Sequence, residues 1–333
     1  MAHPFVANSH ILHRSFAAKP HRVVGSKGIR LILESGEEIL DASAGPAVSC
    51  LGHSRPDVAQ EVARQITDVA YVYSGARFTA TASEDLASHI LKEKPGGLSK
   101  AIFVNSGSEA TDAALKLAFQ YWREAGKSQK RYVIARKQSY HGNTIGALCV
   151  SGHDSRRELY KDWMSTNVSF VDPCFAYRFK HRNESDSEYV KRLENQLEAQ
   201  ILELGPENVA AFVAETVSGT TLGCAPATPG YFQAVRNLCD KYDILLILDE
   251  VRRSYSVSAF IKANNSSRSC AVWAKLVRCT LGNKKESVVP IFKPLAKLLV
   301  EVSFPFLGYF CTRKSSRLLR QDPVGWRMAT LFR

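Results

Sequence analysis

Short apolar runs that alternate with helical stretches constrain this chain more than any other feature of it. Ala101-Ile-Phe-Val104, Tyr132-Val-Ile-Ala135, Val209 to Ala214 and Ile244 to Leu248 are apolar throughout, and the last is the most strongly so. Short runs of this kind, bounded by turn residues, read as strands. Apolar positions recur at helical spacing over 56–71 and 82–94, where Pro95-Gly96-Gly97 ends the second helix, and from Asn105-Ser-Gly-Ser-Glu109 to about Glu124. Another helix is expected from Pro229, with Thr228 as its cap, to about Tyr242. Strands alternating with helices imply βα units around a mostly parallel sheet, hence an α/β fold. Ahead of these units, residues 29–33 and 39–41 flank Glu34-Ser-Gly-Glu-Glu38 as a hairpin turning at Gly36.

The alternation is lost after Val251. From Arg252 to Arg333 there are sixteen Lys and Arg against Glu286, Glu301 and Asp322, whereas residues 1–251 hold 28 basic and 29 acidic side chains. All of the net charge of +12 therefore lies in the last quarter, and the two parts differ in kind. With 45% hydrophobic and 23% charged residues the chain can bury a core. The tail's charge invites a nucleic-acid reading, but it contains no recognisable binding module, so no nucleic-acid partner is expected. Its segment 291–310 mixes Lys293 and Lys297 with Leu, Val and Phe, as a membrane-surface segment would, yet Pro290, Pro294 and Pro305 interrupt a continuous amphipathic helix. No apolar run is long enough to span a membrane.

The eight cysteines form no C-x-x-C pair, and their spacing fits neither a zinc site nor a disulfide framework. Free thiols in a reducing, cytoplasmic setting are expected. Arg14, Lys19, Arg22, Lys27 and Arg30 precede the first acidic residue, Glu34, a weak likeness to a mitochondrial presequence.

Three places carry chemistry. Ser106 and Glu109 have capping-box spacing directly after a strand, and a helix start there is a natural phosphate cradle, with an ordinary capped helix as the alternative. In Ser139-Tyr140-His141-Gly142 an aromatic side chain beside a glycine turn could stack on a planar ligand or simply be half-buried. Glu215 and Asp249 end two apolar strands, where buried carboxylates are costly unless paired or used. No histidine stands where a metal site would need it, so no metal is expected.

Taken in order, Asn105-Ser-Gly-Ser-Glu-Ala110, Tyr140-His-Gly142 and Leu246-Ile-Leu-Asp-Glu-Val251 resemble class-III aminotransferases, with Pro229-Gly-Tyr-Phe232 resembling the omega-aminotransferase branch. The resemblance covers about 1–251. It implies the pyridoxal 5'-phosphate (PLP)-dependent fold type I, with flanking helices, and three parts: residues 1–45 from a small domain, 46–251 as an incomplete PLP-binding large domain, and 252–333 as a basic tail without the family's C-terminal small domain. It also implies transfer of an amino group between an amine or amino acid and a keto acid, in a homodimer. Gly107 and Ser108 would then bind the cofactor phosphate. Tyr140 and Val251 would flank the pyridine ring, His141 and Glu215 would sit close to it, and Asp249 would face its ring nitrogen. Tyr71 or Tyr73 would border the substrate's path.

The resemblance breaks after Val251. The family continues with a Gly-Arg loop and places its cofactor-bearing lysine in a Gly-Lys-Gly setting about thirty residues beyond the aspartate, but this chain continues Arg252-Arg-Ser-Tyr. Lys275, in Trp273-Ala-Lys-Leu276, is the candidate nearest that distance and lacks both glycines. The break is read either as local divergence around a retained site or as a segment never selected as protein, since Glu250-Val251-Arg252 can be encoded by a splice-donor sequence. Residues 252–333 are expected to pack poorly against the sheet, a well-packed tail favouring divergence instead, and the chain as written is not expected to sustain transamination. A cofactor-binding remnant, or an interaction protein using its basic tail, is the alternative function.

Overall fold

The structure is a computed structural model that describes residues 10–13, 18–42, 48–49, 51–92, 98–219, 221–250, 269–274 and 307–312. The chain divides into two compact units, Met1–Gln60 and Glu61–Arg333. In the first, β1 (Val23–Lys27), β2 (Arg30–Leu33) and β3 (Glu38–Leu40) form an antiparallel sheet. Gly36 turns the expected hairpin with φ +86°, a conformation glycine adopts without a Cβ clash.

The second unit contains the expected βα alternation. Helix α1 (Pro56–Asp68) contains the boundary, and α2 (Thr81–Leu91) and β4 (Leu98–Val104) follow it. Next come α3 (Gly107–Glu124), β5 (Tyr132–Arg136), the short α4 (Ile145–Cys149) and β6 (Val168–Val171). Helix α5 (Asp186–Leu204), β7 (Val209–Glu215), α6 (Tyr231–Lys241) and β8 (Leu245–Asp249) complete the expected region. Strand β6 and helix α5 are not among the elements expected from the sequence. The helix expected from Pro229 starts at Tyr231 instead: Gly230, at φ +88°, holds the N-cap position, and Thr228 hydrogen-bonds through its backbone to Cys174.

Two further strands, β9 (Ser269–Ala274) and β10 (Leu307–Thr312), come from the basic tail. The seven-stranded sheet runs β4–β10–β9–β8–β7–β5–β6; β10 lies antiparallel to both its neighbours and the remaining pairings are parallel. The expectation that 252–333 makes few contacts with the sheet therefore fails for these two segments. Strands β4 and β8 each present a row of backbone donors and acceptors on the side where β10 and β9 pair, and unpaired backbone in a sheet interior is costly. The rest of 252–333, including Lys275, lies outside the described residues, as does Val251.

Alternate residues of the central strands face opposite ways, and both faces are covered. Val133 and Ala135, Ala211 and Val213, and Leu245 and Ile247 pack with Ala114, Leu117, Tyr121 and Trp122 of α3. Ile134, Phe212, Ala214, Leu246 and Leu248 pack with Leu193, Leu197 and Ile201 of α5 and Phe232, Val235 and Leu238 of α6. Burial on both faces explains why these strands are continuously apolar. The Trp122 indole N–H also donates to the Ala210 carbonyl at 2.8 Å, tying α3 to β7.

Candidate active site

Strands β5, β7 and β8 run parallel, so their carboxyl ends share one edge of the sheet, where open α/β folds place their ligands. Residues 108 positions apart, His141 and Asp249, touch there.

Helix α3 starts with the expected capping box. Glu109 Oε2 accepts from the N–H groups of Asn105 (2.7 Å) and Ser106 (3.2 Å), and the Glu109 N–H donates to Ser106 Oγ at 3.2 Å. Gly107 and Ser108, in the first turn, have no intrahelical carbonyl four residues back for their N–H groups. Ser108 Oγ accepts from the Asn143 N–H at 2.8 Å, which joins the helix start to the loop after β5.

That loop is held from several sides. Thr111 Oγ1 donates to the His141 carbonyl at 2.9 Å, and the His141 N–H donates to Ser151 Oγ at 2.8 Å. Gly142 has φ +140°, and a Cβ there would lie 2.7 Å from Ser108 Cα. Only glycine permits so close an approach at that backbone angle. The Tyr140 ring carries the Arg156 guanidinium at 4.7 Å from its centroid.

Both strand-end carboxylates are buried, Glu215 and Asp249 facing each other in register. Asp249 Oδ2 lies 2.9 Å from His141 Nδ1, an ion pair when the imidazole is protonated. His141 Nε2 is buried without a partner among the described residues. Glu215 Oε1 accepts from the Gly219 N–H at 2.9 Å and Oε2 from the Tyr140 N–H at 3.3 Å. Burial pushes the Glu215 carboxyl above its ordinary range, opposed by His141, reinforced by Asp249, and opposed again by the Gly219 N–H and Arg136.

Of the residues singled out in the sequence, Tyr140 touches Glu215 and His141 touches Asp249, while Ser108 joins them through Asn143 of the same loop and Gly107 precedes Ser108 on α3. Sequence reasoning missed Thr111, Asn143, Ser151 and Gly219, whose contacts run through loops. It also missed Arg136, whose signal was a charge closing an apolar strand. No group of His, Cys, Asp and Glu suited to a metal ion exists among the described residues.

The sequence of residues 15–258 matches the family described as aminotransferase class-III. The chain belongs to that family. It is 46% identical over 243 residues to an uncharacterised aminotransferase of Schizosaccharomyces pombe, which covers 73% of this chain and 53% of that one. It is 35% identical over 252 residues to gamma aminobutyrate transaminase 3, chloroplastic, of Solanum lycopersicum, covering 75% and 47%. The chain therefore spans about half the length of these curated relatives. The crystal structure of an (S)-enantioselective omega-transaminase from Thermomicrobium roseum superposes with a TM-score of 0.79 at 24% identity, over 96% of this chain and 67% of that one, which shows the shared fold.

Proposed function

We propose that residues 46–251 form the cofactor-binding part of a PLP-dependent class-III aminotransferase site, with 1–45 belonging to the small domain. The observation that carries this reading is the continuous contact from the α3 start to the buried Asp249, through Asn143, Gly142 and His141. The donor set suits the cofactor: helix-start N–H groups for a phosphate at one end, a buried carboxylate for a ring nitrogen at the other, and Tyr140 between them. When bound, PLP supplies an electron sink for the carbanion left when a substrate Cα–H proton departs.

The chain's own residues have separable tasks. Gly107 and Ser108 bind the phosphate through the helix start. Tyr140, with Arg156 on one face of its ring, offers the other face for stacking; Val251 would close the opposite side. Asp249, held by His141, keeps a proton at the ring nitrogen, and Glu215 borders the ring substituents. The reaction is amino transfer between an amine or amino acid and a keto acid. The family implies a homodimer, and Tyr71 or Tyr73, both exposed, would border the substrate's path. A cytoplasmic or mitochondrial setting suits the free thiols.

Turnover needs a lysine, and Lys275, one residue beyond β9, is the candidate. The missing glycines around it favour a chain that binds cofactor without sustaining the reaction. The test is PLP binding by the whole chain, then borohydride reduction and peptide mapping. Stoichiometric binding that Asp249→Ala abolishes, with no pyridoxyl group on Lys275, is the expected result. A pyridoxyl group on Lys275 would make that residue the nucleophile and the chain an enzyme. No binding at all would refute the site.

A further inference from the structure

Arg136 closes β5 and is 2% exposed. A buried guanidinium is costly unless it is paired, and among the described residues Arg136 forms no salt bridge with a carboxylate. Its Nη2 instead donates to the main-chain carbonyl of Glu215 at 2.6 Å and reaches Ser218 Oγ at 3.4 Å. The guanidinium carbon lies 5.9 Å from the ring centroids of both Tyr231 and Phe232, which wall it from water. Its Nε has no hydrogen-bond partner among the described residues. A full cation has thus been placed under one short segment, residues 215–219, and offered dipoles in place of a counterion.

That segment is the one that aims Glu215. Its Gly219 N–H holds one carboxyl oxygen, and the other oxygen holds the Tyr140 N–H. We propose that Arg136 is a positioning residue of this site: by clamping the Glu215 carbonyl and Ser218, it locks the Glu215 carboxyl to the loop that carries Tyr140 and His141. The charged and titratable groups around that carboxyl are Arg136 from β5, His141 from the following loop, and Asp249 from β8, with Glu250 next in the chain. Two of these neighbours are acids at the end of one strand. Arg136 is a permanent cation acting on the Glu215 carboxyl beside them, since guanidinium does not deprotonate in proteins. It therefore also offsets the cost of holding carboxylates together in a buried cluster. What the locked carboxyl finally serves rests on the cofactor reading above, whereas the clamp is a property of the cofactor-free protein.

The experiment uses the full chain without cofactor, as parent, Arg136→Lys and Arg136→Gln. Amide hydrogen exchange is read at Gly219 and Tyr140, and the protonation of Glu215 is read from its infrared carboxyl band, by difference from each protein's Glu215→Gln counterpart. In Arg136→Gln, exchange at those two amides should rise about tenfold, as for loss of one charge-assisted hydrogen bond. The Glu215 midpoint should move up by about one pH unit or more, as for loss of a nearby opposite charge. Arg136→Lys should keep the midpoint near the parent's while still loosening Gly219, because it retains the charge but cannot place a donor where Nη2 stands. Parental exchange and midpoint in Arg136→Gln would overturn the proposal. If Arg136→Gln does not fold, Arg136→Lys decides: faster exchange confined to 215–219 and Tyr140 supports the clamp, and a uniform rise through β7 and β8 overturns it. PLP and inorganic phosphate binding are then compared. Weaker PLP binding with unchanged phosphate binding ties the clamp to the cofactor site. A parent that binds no PLP defeats the cofactor reading but leaves the exchange and titration results to decide on Arg136.

Discussion

Gly142→Ala should damage both stability and the site, and its cost can be worked from the geometry. A Cβ at position 142 would lie 2.7 Å from Ser108 Cα, 2.7 Å from Ser108 Oγ and 2.8 Å from Ala147 Cβ. Carbon contacts are optimal near 3.5–4.0 Å, so relief requires movement of roughly 1 Å. Ser108 Cα belongs to the backbone of α3 and Ala147 to α4, so no flexible side-chain end can give way. Overpacking of this kind costs about 1–3 kcal/mol. Alanine at φ +140° adds about 1–3 kcal/mol of backbone strain. The sum, about 2–6 kcal/mol, is a large part of a typical domain's stability of about 5–15 kcal/mol. If the loop moves to relieve the clash, the 2.8 Å contact from Asn143 to Ser108 and the 2.9 Å contact from His141 to Asp249 lengthen together. Urea unfolding measures the stability, and PLP titration the site. Gly126→Ala is the control, because Gly126 has φ +74° with nothing within 4 Å of its would-be Cβ and so isolates strain from clash. A loss for Gly142→Ala no larger than for Gly126→Ala, with PLP affinity unchanged, would refute the reasoning.

Lys130→Met should destabilise without touching the site. Lys130 Nζ donates to the carbonyls of Pro206 (2.9 Å) and Val209 (3.0 Å) at the amino end of β7 and lies 4.7 Å from the Trp122 ring centroid. Leaving those buried acceptors without their donor should cost about 1–3 kcal/mol in thermal unfolding, with PLP binding as in the parent. Arg192→Gln should cost stability in a pH-dependent way. Hydrogen bonds from Arg192 hold the Glu184 carboxyl at about 2, below its unfolded value. A depressed acid stabilises above its unfolded pKa and loses that contribution as pH falls through the folded one. The deficit of the variant should therefore be full above about pH 4.5 and shrink toward pH 2. A deficit constant over that range would contradict the assignment.

Interactions local in the chain are legible in the order of residues alone. The strands around Ile134, Phe212 and Ile247 announce themselves because residues buried on both faces leave no polar position. Ser106 and Glu109 announce a helix start because the cap is made within four residues. The ordered motifs place Tyr140, Glu215 and Asp249 in one family pattern without any distance being known. Ser185 and Glu188 carry a local signal of the same kind, a second capping box at the start of α5, although no helix is expected there from the apolar pattern.

Only the tertiary structure decided the rest. Whether Asp249 meets His141, 108 residues away, depends on β5 and β8 both flanking β7, and strand order is a property of neighbours that no window of sequence contains. Arg136 looks like the polar end of a strand until Glu215 and the rings of Tyr231 and Phe232 are seen to enclose it. The same holds for β9 and β10. Their six-residue runs carry little pattern among basic residues, and their place comes from the backbone groups that β8 and β4 present. The sequence by itself determined the central strands, the capped start of α3 and the family pattern they follow, because capping and two-sided burial act at short range. The sheet determined which charges share a buried pocket, because that depends on which chain ends pairing brings together.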